Sequence, residues 1–66
     1  MMPIGTPVVV NIQGSLVRGL VYNYYTVRDI TDYAIQIQED FVIGEIQLFS
    51  GATIRVSRQL VAKKGI

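Results

Sequence analysis

The segment LVRGLVYNYY, residues 16–25, is the feature that most constrains how this chain folds. Apolar and polar residues alternate along it, which is the period of a strand with one buried face. A glycine within a strand marks a sharp bend, a bulge or a close approach by another part of the chain. We therefore predict that this long strand bends sharply at Gly19, with the avoidance of a clash with a neighbour as the alternative.

Four further segments have the β-branched content or the alternation of strands: residues 8–12, residues 33–39, a run that begins at Ile43 or Glu45 and ends at Phe49, and residues 54–57. The clearest is residues 33–39, in which Tyr33, Ile35 and Ile37 point to one face. No window carries a sustained helical stripe with caps. The sequence therefore predicts an all-β chain of five strands.

The remaining segments carry glycine, proline or polar residues and are predicted to be irregular: the lead-in 1–7, the turn 13–15, the loop 26–32, the turn 50–53 and the frayed tail 62–66. Within the first turn, Gly14 is free to adopt a positive φ. Residues 58–66 either continue the fifth strand or add one irregular turn. Because no linker or repeat interrupts the chain, residues 1–66 are predicted to form a single domain.

Composition limits how so small a domain is stabilised. A chain of 66 residues buries only about 60% of its unfolded surface. The absence of cysteine excludes disulfides and thiolate metal sites, and the absence of histidine argues against zinc, so we expect no metal and no cofactor. Half the residues are apolar, which is more than so small an interior accommodates. We therefore expect part of the apolar surface to lie between subunits of a homo-oligomer.

Charge and hydropathy restrict the partners and the compartment. No apolar run has the length required to cross a bilayer, and the start MMPIGTP lacks the basic and apolar regions of a signal peptide. We therefore expect a cytoplasmic protein, of a bacterium or a phage-infected cell, with no membrane partner. The net charge of +1 excludes a strongly basic surface and is neutral on nucleic-acid binding.

Five short strands cannot form a stable flat sheet in a chain of this size, because one face of the sheet would be left uncovered. The economical alternative is a strongly bent sheet that closes on itself. The edges of such an open barrel must be covered, charged or paired with another chain.

The glycine spacing resembles the first motif of the Sm and LSm proteins, Hfq included. Gly14, Gly19 and Val21 stand at the glycine, glycine and apolar positions of that motif. Asp32 stands where the family has asparagine, and Ile35 occupies the apolar position that follows it. The resemblance implies a five-stranded, strongly bent open barrel, SH3-like and of Sm type, here without the N-terminal helix of the family.

The segment FSGATI resembles the second Sm motif, with Phe49, Gly51 and Ile54 at the matching positions and Ser50 in place of the family's arginine. In the family, subunits form rings by pairing strand four of one copy with strand five of the next. By this resemblance the interface residues are Ile46, Leu48, Phe49, Ile54 and Val56. The resemblance also implies single-stranded RNA as a partner, with Asp32, Ser50 and Gly51 at the motif positions. From residue type and place in the sequence, Tyr25, Tyr33 and Arg55 are the further predicted RNA contacts.

Residues of these types also have roles that involve no RNA. A tyrosine at the edge of a loop can stack on a base, and Tyr25 is the best candidate for that role. Tyr22 and Tyr24 are instead expected to pack in the core or an interface. Arg55 follows the Gly51 turn closely enough to replace in part the arginine that is missing at position 50. The alternative for Asp32 is to accept hydrogen bonds from neighbouring loop amides.

Catalysis is not expected, because without histidine and cysteine only five scattered carboxylates remain, and they form no recognisable motif. One enzyme alternative stays open. The segment IQLF, with Gln47, Leu48 and Phe49, is similar to the pore-lining segment of the plasmid-encoded type II dihydrofolate reductases, which are small SH3-like barrels. A third possibility is an SH3-like module that docks a protein partner or has a structural role.

Overall fold

The computed structural model describes residues 1–65, which form seven strands and one 3₁₀ turn and contain no α-helix. The predicted all-β class is confirmed. The strands are β1 (Pro7–Ile12), β2 (Ser15–Val27), β3 (Ile30–Ile37), β4 (Phe41–Ile43), β5 (Ile46–Leu48), β6 (Thr53–Ser57) and β7 (Val61–Lys63), with the 3₁₀ turn Arg58–Leu60 between the last two.

Five of the strands form one antiparallel sheet in the order β6–β3–β2–β1–β7. The chain runs up and down through β1, β2 and β3, then adds β6 beside β3 and β7 beside β1. Strands β4 and β5 pair only with each other, as a separate hairpin between β3 and β6.

The connection between β6 and β7 shows that the main sheet is coiled. These strands are the two edges of the sheet, and the edges of a flat five-stranded sheet lie about 19 Å apart. The 3₁₀ turn leaves only four Cα–Cα steps between Ser57 and Val61, which span at most about 15 Å when extended and less in a 3₁₀ turn. The edges must therefore approach each other, although the described strands β6 and β7 do not pair.

The core lies on the concave face of this sheet. Its fully buried side chains alternate along β1, β2 and β3 and are Val8, Val10, Val17, Val21, Tyr33, Ile35 and Ile37. The predicted shared face of Tyr33, Ile35 and Ile37 is thus confirmed. Phe41 and Leu48, from the β4–β5 hairpin, are half-buried against this cluster. The hairpin therefore contributes apolar cover that the sheet lacks on its own.

Gly19 is a point of close approach within this core. It lies opposite Val8 in β1 and Ile37 in β3, and a Cβ built at this position would overlap Cγ2 of Ile35. The irregularity in β2 falls later, at Tyr22, where the register with β3 shifts in a bulge. The structure thus gives Gly19 the close-approach role that was the alternative. Gly14 has φ +90° in the turn after β1, as predicted.

The prediction that residues 26–32 form a loop is wrong. β2 and β3 continue as a two-stranded arm to a two-residue turn, Arg28–Asp29, in which φ is 51° and 66°. The arm is polar on both faces in places, which hides the alternation that identifies a strand. Thr26 and Thr31, for example, lie opposite each other with their Oγ1 atoms 3.0 Å apart.

Two predictions for the second half of the chain are confirmed only in part. The predicted fourth strand contains β5, but this strand begins at Ile46 as the second half of a hairpin, because Gly44, at φ 55°, turns the chain between Ile43 and Ile46. The predicted frayed tail is ordered in part, since Ala62 and Lys63 pair with β1. Ile66 lies outside the described residues. The lead-in 1–7 is irregular except for Pro7, which begins β1.

Candidate nucleic-acid interface

Three of the predicted RNA-binding residues meet on the outer face of β2, β3 and β6. Tyr25 lies opposite Asp32 in the register of β2 and β3, and Arg55 projects from the neighbouring strand β6. Oδ2 of Asp32 accepts a hydrogen bond of 3.1 Å from Nε of Arg55. The guanidinium carbon of Arg55 lies 4.6 Å from the centroid of the Tyr25 ring. We refer to Tyr25, Asp32 and Arg55 as the tyrosine–arginine cluster.

The cluster is open to solvent and chemically suited to a nucleotide. Tyr25 is 43% exposed and the Arg55 side chain 54% exposed. The contacts orient Arg55 over the ring, by a cation–π attraction of about 0.5–1 kcal/mol at an exposed site. Asp32 engages only Nε of Arg55. Within residues 1–65, both terminal amino groups of Arg55 therefore remain as donors that could bind a phosphate.

Asp32 has a different role from the alternative predicted for it. Its carboxylate accepts a hydrogen bond from the side chain of Arg55 on the neighbouring strand β6. It does not accept from loop amides, because strands replace the predicted loop. An exposed pair of this kind contributes about 0.2–1 kcal/mol. The carboxylate also offsets the charge of Arg55, so any anion bound at the guanidinium would compete with Asp32.

Tyr33 is a core residue, which corrects its prediction as an RNA contact. Its side chain is only 1% exposed, and its ring packs edge-on against Tyr24 with centroids 6.1 Å apart. The Tyr33 hydroxyl accepts a hydrogen bond of 3.0 Å from the backbone N–H of Met2. A ring held in this way has no face free for a base.

Ser50 and Gly51 lie apart from the cluster, in the turn before β6. The Ser50 N–H donates to Oδ1 of Asp40 at 2.9 Å, and the Gly51 N–H donates to the Ile37 carbonyl at 2.7 Å. Arg55 stands four residues beyond Gly51 along an extended chain, a distance of about 13 Å. These two residues shape a turn and are not brought together with Tyr25.

The predicted interface residues gather around a second feature, an apolar groove of about 340 Å³. Four of the five line it, namely Ile46, Leu48, Ile54 and Val56. Phe49 is outside this groove and is largely exposed. Ile12 and Leu60 complete its apolar lining, and sequence reasoning missed both because their place depends on how β1 and the 3₁₀ turn fold back.

The groove borders an open sheet edge. The Ile37 N–H donates to the Ala52 carbonyl, so by strand alternation Ile54 and Val56 bond to β3 and the backbone groups of Thr53, Arg55 and Ser57 face away. No other strand within residues 1–65 pairs with this side of β6, or with the side of β7 away from β1. Within residues 1–65 the main sheet therefore has two open edges, one on β6 and one on β7.

The residues of the enzyme alternative lie on the β4–β5 hairpin. Gln47 is exposed and paired with Val42, Leu48 packs toward the core and Phe49 is exposed beyond the strand. The carboxylates do not gather: residues 1–65 contain no group of three acidic side chains that would hold a metal ion. The Arg18 backbone N–H and guanidinium donate to Glu39 and lower its pKa.

Residues 1–65 contain no helix with the length and apolar character that crossing a bilayer requires. Comparisons of the chain with models of protein families, with curated proteins and with solved structures found no match.

Proposed function

We propose that this chain is a ring-forming β-barrel protein of Sm type that binds single-stranded RNA through the tyrosine–arginine cluster. The observation that carries the proposal is the meeting of Tyr25, Asp32 and Arg55 on one exposed surface. The three residues come from three different strands. Together they place an aromatic ring beside a guanidinium. Proteins bind single-stranded nucleic acid by stacking bases on aromatic rings and by attracting the phosphates with positive charge.

The Sm-type barrel is supported by the coiling of the sheet. A five-stranded antiparallel sheet whose edges are linked by a three-residue turn is the layout of a small open barrel. The glycines of the first motif agree with this, since Gly14 makes the turn before β2 and Gly19 admits the close approach of Ile35.

The ring is supported by the two open edges. In the family the contact joins strand four to strand five of the next copy. Here the contact that we propose joins the two open edges of the main sheet, β6 of one copy and β7 of the next. Such a contact joins two different surfaces and therefore closes into a ring when the rotation between copies permits it. The apolar groove beside β6 would then be covered together with the edge.

RNA binding is supported by stacking more than by charge. A base stacked on an aromatic side chain contributes about 1–3 kcal/mol, and Tyr25 has an accessible ring. The net charge of +1 provides few phosphate contacts, so each subunit adds little to the salt dependence. An oligomeric ring would repeat the tyrosine–arginine cluster around its axis, so that one RNA strand could contact several subunits.

The test is fluorescence anisotropy with a labelled oligo-U at low salt. Tyr25→Ala should weaken binding about 5- to 150-fold, the equivalent of one lost stacking contact. Tyr22→Ala is the matched control, because Tyr22 is 56% exposed on the same strand and lies outside the cluster. Equal losses in the two variants would contradict the assigned site, and no binding at tens of micromolar protein would contradict the RNA function.

The reductase alternative makes a different prediction for the same preparation. NADPH and dihydrofolate would bind in the assembly, and Gln47→Ala would abolish their binding while oligo-U had no effect. Dihydrofolate reduction by the wild-type protein, with no anisotropy change on oligo-U, would replace our proposal with that activity. If neither ligand registered, the protein-docking or structural alternative would take its place.

A further inference from the structure

A second concave site lies on β2, toward its opposite end from Tyr25. It is a cleft of about 280 Å³ to which Arg18, Gly19, Gln38 and Lys64 contribute. Arg18 precedes Tyr25 by seven residues, which corresponds to about 23 Å along an extended strand. The cleft is therefore separate from the tyrosine–arginine cluster, and the inference drawn from it does not rest on the proposed function.

Backbone hydrogen bonds hold the polar residues of the cleft together. The Lys64 N–H donates to the Pro7 carbonyl at 3.0 Å, which fixes the end of the chain beside β1. The Gln38 N–H donates to the Arg18 carbonyl, also at 3.0 Å, and brings the end of β3 beside β2. Gly19, between them, adds no side chain to the cleft.

Glu39 orients the Arg18 side chain but binds only one of its three guanidinium nitrogens. Its Oε2 atom accepts from the Arg18 backbone N–H at 2.8 Å and from Nε at 3.2 Å. Only the Nε edge of the guanidinium is engaged, so the terminal amino groups of Arg18 remain as donors among the described residues. Two cationic side chains and one carboxylate leave a net positive charge at the cleft.

We propose that this cleft binds a phosphate group, held by the terminal amino groups of Arg18, the ammonium of Lys64 and the second hydrogen of the Gln38 amide, whose Nε2 already donates to the Gln36 carbonyl at 3.4 Å. A guanidinium suits two oxygens of a tetrahedral anion, and an ammonium adds a compact charge beside it. The phosphate is either a free monoester or part of a nucleic-acid backbone, and the chemistry that recognises it is the same in both cases.

The test follows backbone amide resonances while inorganic phosphate is added to ¹⁵N-labelled protein at constant ionic strength. The resonances of Gly19, Leu20 and Lys64 should shift and saturate at millimolar phosphate. Lys64→Gln should raise the apparent Kd at least fivefold. Lys63→Gln, which changes the charge equally on the adjacent residue outside the cleft, should change it less than twofold. Shifts that never saturate, or equal effects of the two variants, would overturn the proposal.

Competition identifies the source of the phosphate. Displacement of inorganic phosphate by uridine monophosphate but not by the dinucleotide UpU supports a cleft for a free monoester. Displacement by UpU as well supports a cleft that holds the backbone of a nucleic acid. Displacement by neither would overturn the proposal. Tyr25→Ala should leave the phosphate titration unchanged, so failure of the cleft and failure of the RNA site are distinguishable.

Discussion

Cγ2 of Ile35 occupies the space that a side chain at Gly19 would need. The carbonyl oxygen of Gln36 lies 3.0 Å from the same point, so backbone as well as side chain limits the room. Gly19 has no positive φ, and the requirement for glycine is therefore one of space and not of backbone conformation. β3 packs directly against the backbone of β2 at this position.

Gly19→Ala should lower the free energy of unfolding by about 1–3 kcal/mol, because the added methyl group displaces Ile35 in a packed core. Urea unfolding measures the change. The control is a double-mutant cycle with Ile35→Leu, which removes Cγ2 and should recover part of the loss. Full stability in Gly19→Ala would show that β3 does not approach β2 as closely as described.

The turn at the tip of the β2–β3 arm should be open to stabilisation. Arg28 and Asp29 both have positive φ, the pattern of the two-residue hairpin turn that favours Asn-Gly. Asp29→Gly should raise the free energy of unfolding by about 0.5–1 kcal/mol, since glycine adopts this φ without steric cost. Gly14→Ala, at φ +90°, should do the reverse. A loss of stability on Asp29→Gly would contradict the turn.

The sequence predicted the parts of the fold that depend on local periodicity. The alternation in residues 33–39 and the β-branched run at 8–12 correspond to β3 and β1. The arm was missed because it carries no uniformly apolar face, and period-two alternation appears only where one face is buried. β7 was missed because it is three residues long and its pairing with β1 arises only once the sheet has coiled.

The candidate site was predicted in part, for a related reason. Residue type and place in the sequence predicted Tyr25 and Arg55 as contacts. Their meeting depends on the registers of β2, β3 and β6, which place them on neighbouring strands. Tyr33 was misassigned because alternation shows which residues share a face but not which tyrosine is covered. The cover comes from Met2, in a lead-in with no periodicity.

The ion pair of Glu39 predicts a pH dependence. The hydrogen bonds from Arg18, followed by the nearby charges, hold the pKa of Glu39 below its ordinary value of about 4.3. A carboxyl whose pKa is lower in the folded state contributes stability above its unfolded pKa and loses it as pH falls through the folded pKa. Wild type should therefore exceed Glu39→Gln in stability at pH 6, and the difference should shrink below about pH 4. Urea midpoints across this range measure it; a constant difference would contradict the pair.

Asp32 accepts a hydrogen bond from Arg55, so in the proposed RNA site its charge should weaken binding. Asp32→Asn should lower the Kd for oligo-U by up to about fivefold at low salt. This factor corresponds to the free energy of one exposed ion pair, about 1 kcal/mol at most. Asp29→Asn makes the same charge change at the tip of the arm, outside the cluster, and should have a smaller effect. Anisotropy titrations compare the two. Weaker binding by Asp32→Asn would show that Asp32 positions Arg55 more than it competes for it.

The groove beside β6 makes a prediction for assembly. Ile46→Lys places a charge in the apolar lining of the groove and should shift the protein toward smaller species. Val42→Lys is the matched control, because Val42 is exposed on the same hairpin and does not line the groove. Sedimentation velocity at micromolar concentration distinguishes the two variants. Equal behaviour would remove the groove from the subunit contact.

The open edge of β6 is tested by Ser57→Pro. Ser57 has φ −62°, which proline adopts, so the change removes an outward N–H without straining the chain. It also removes the hydroxyl that accepts from Gln59, and Ser57→Ala controls for that loss. The proline variant should associate more weakly than the alanine variant.

Native mass spectrometry of the wild-type chain, with and without oligo-U, tests the central claim most directly. Our account predicts one closed oligomer of several 7.4 kDa subunits at micromolar concentration, which gains the mass of one oligo-U strand when RNA is added. A spectrum that contained only the 7.4 kDa monomer at tens of micromolar protein, unchanged by RNA, would contradict it.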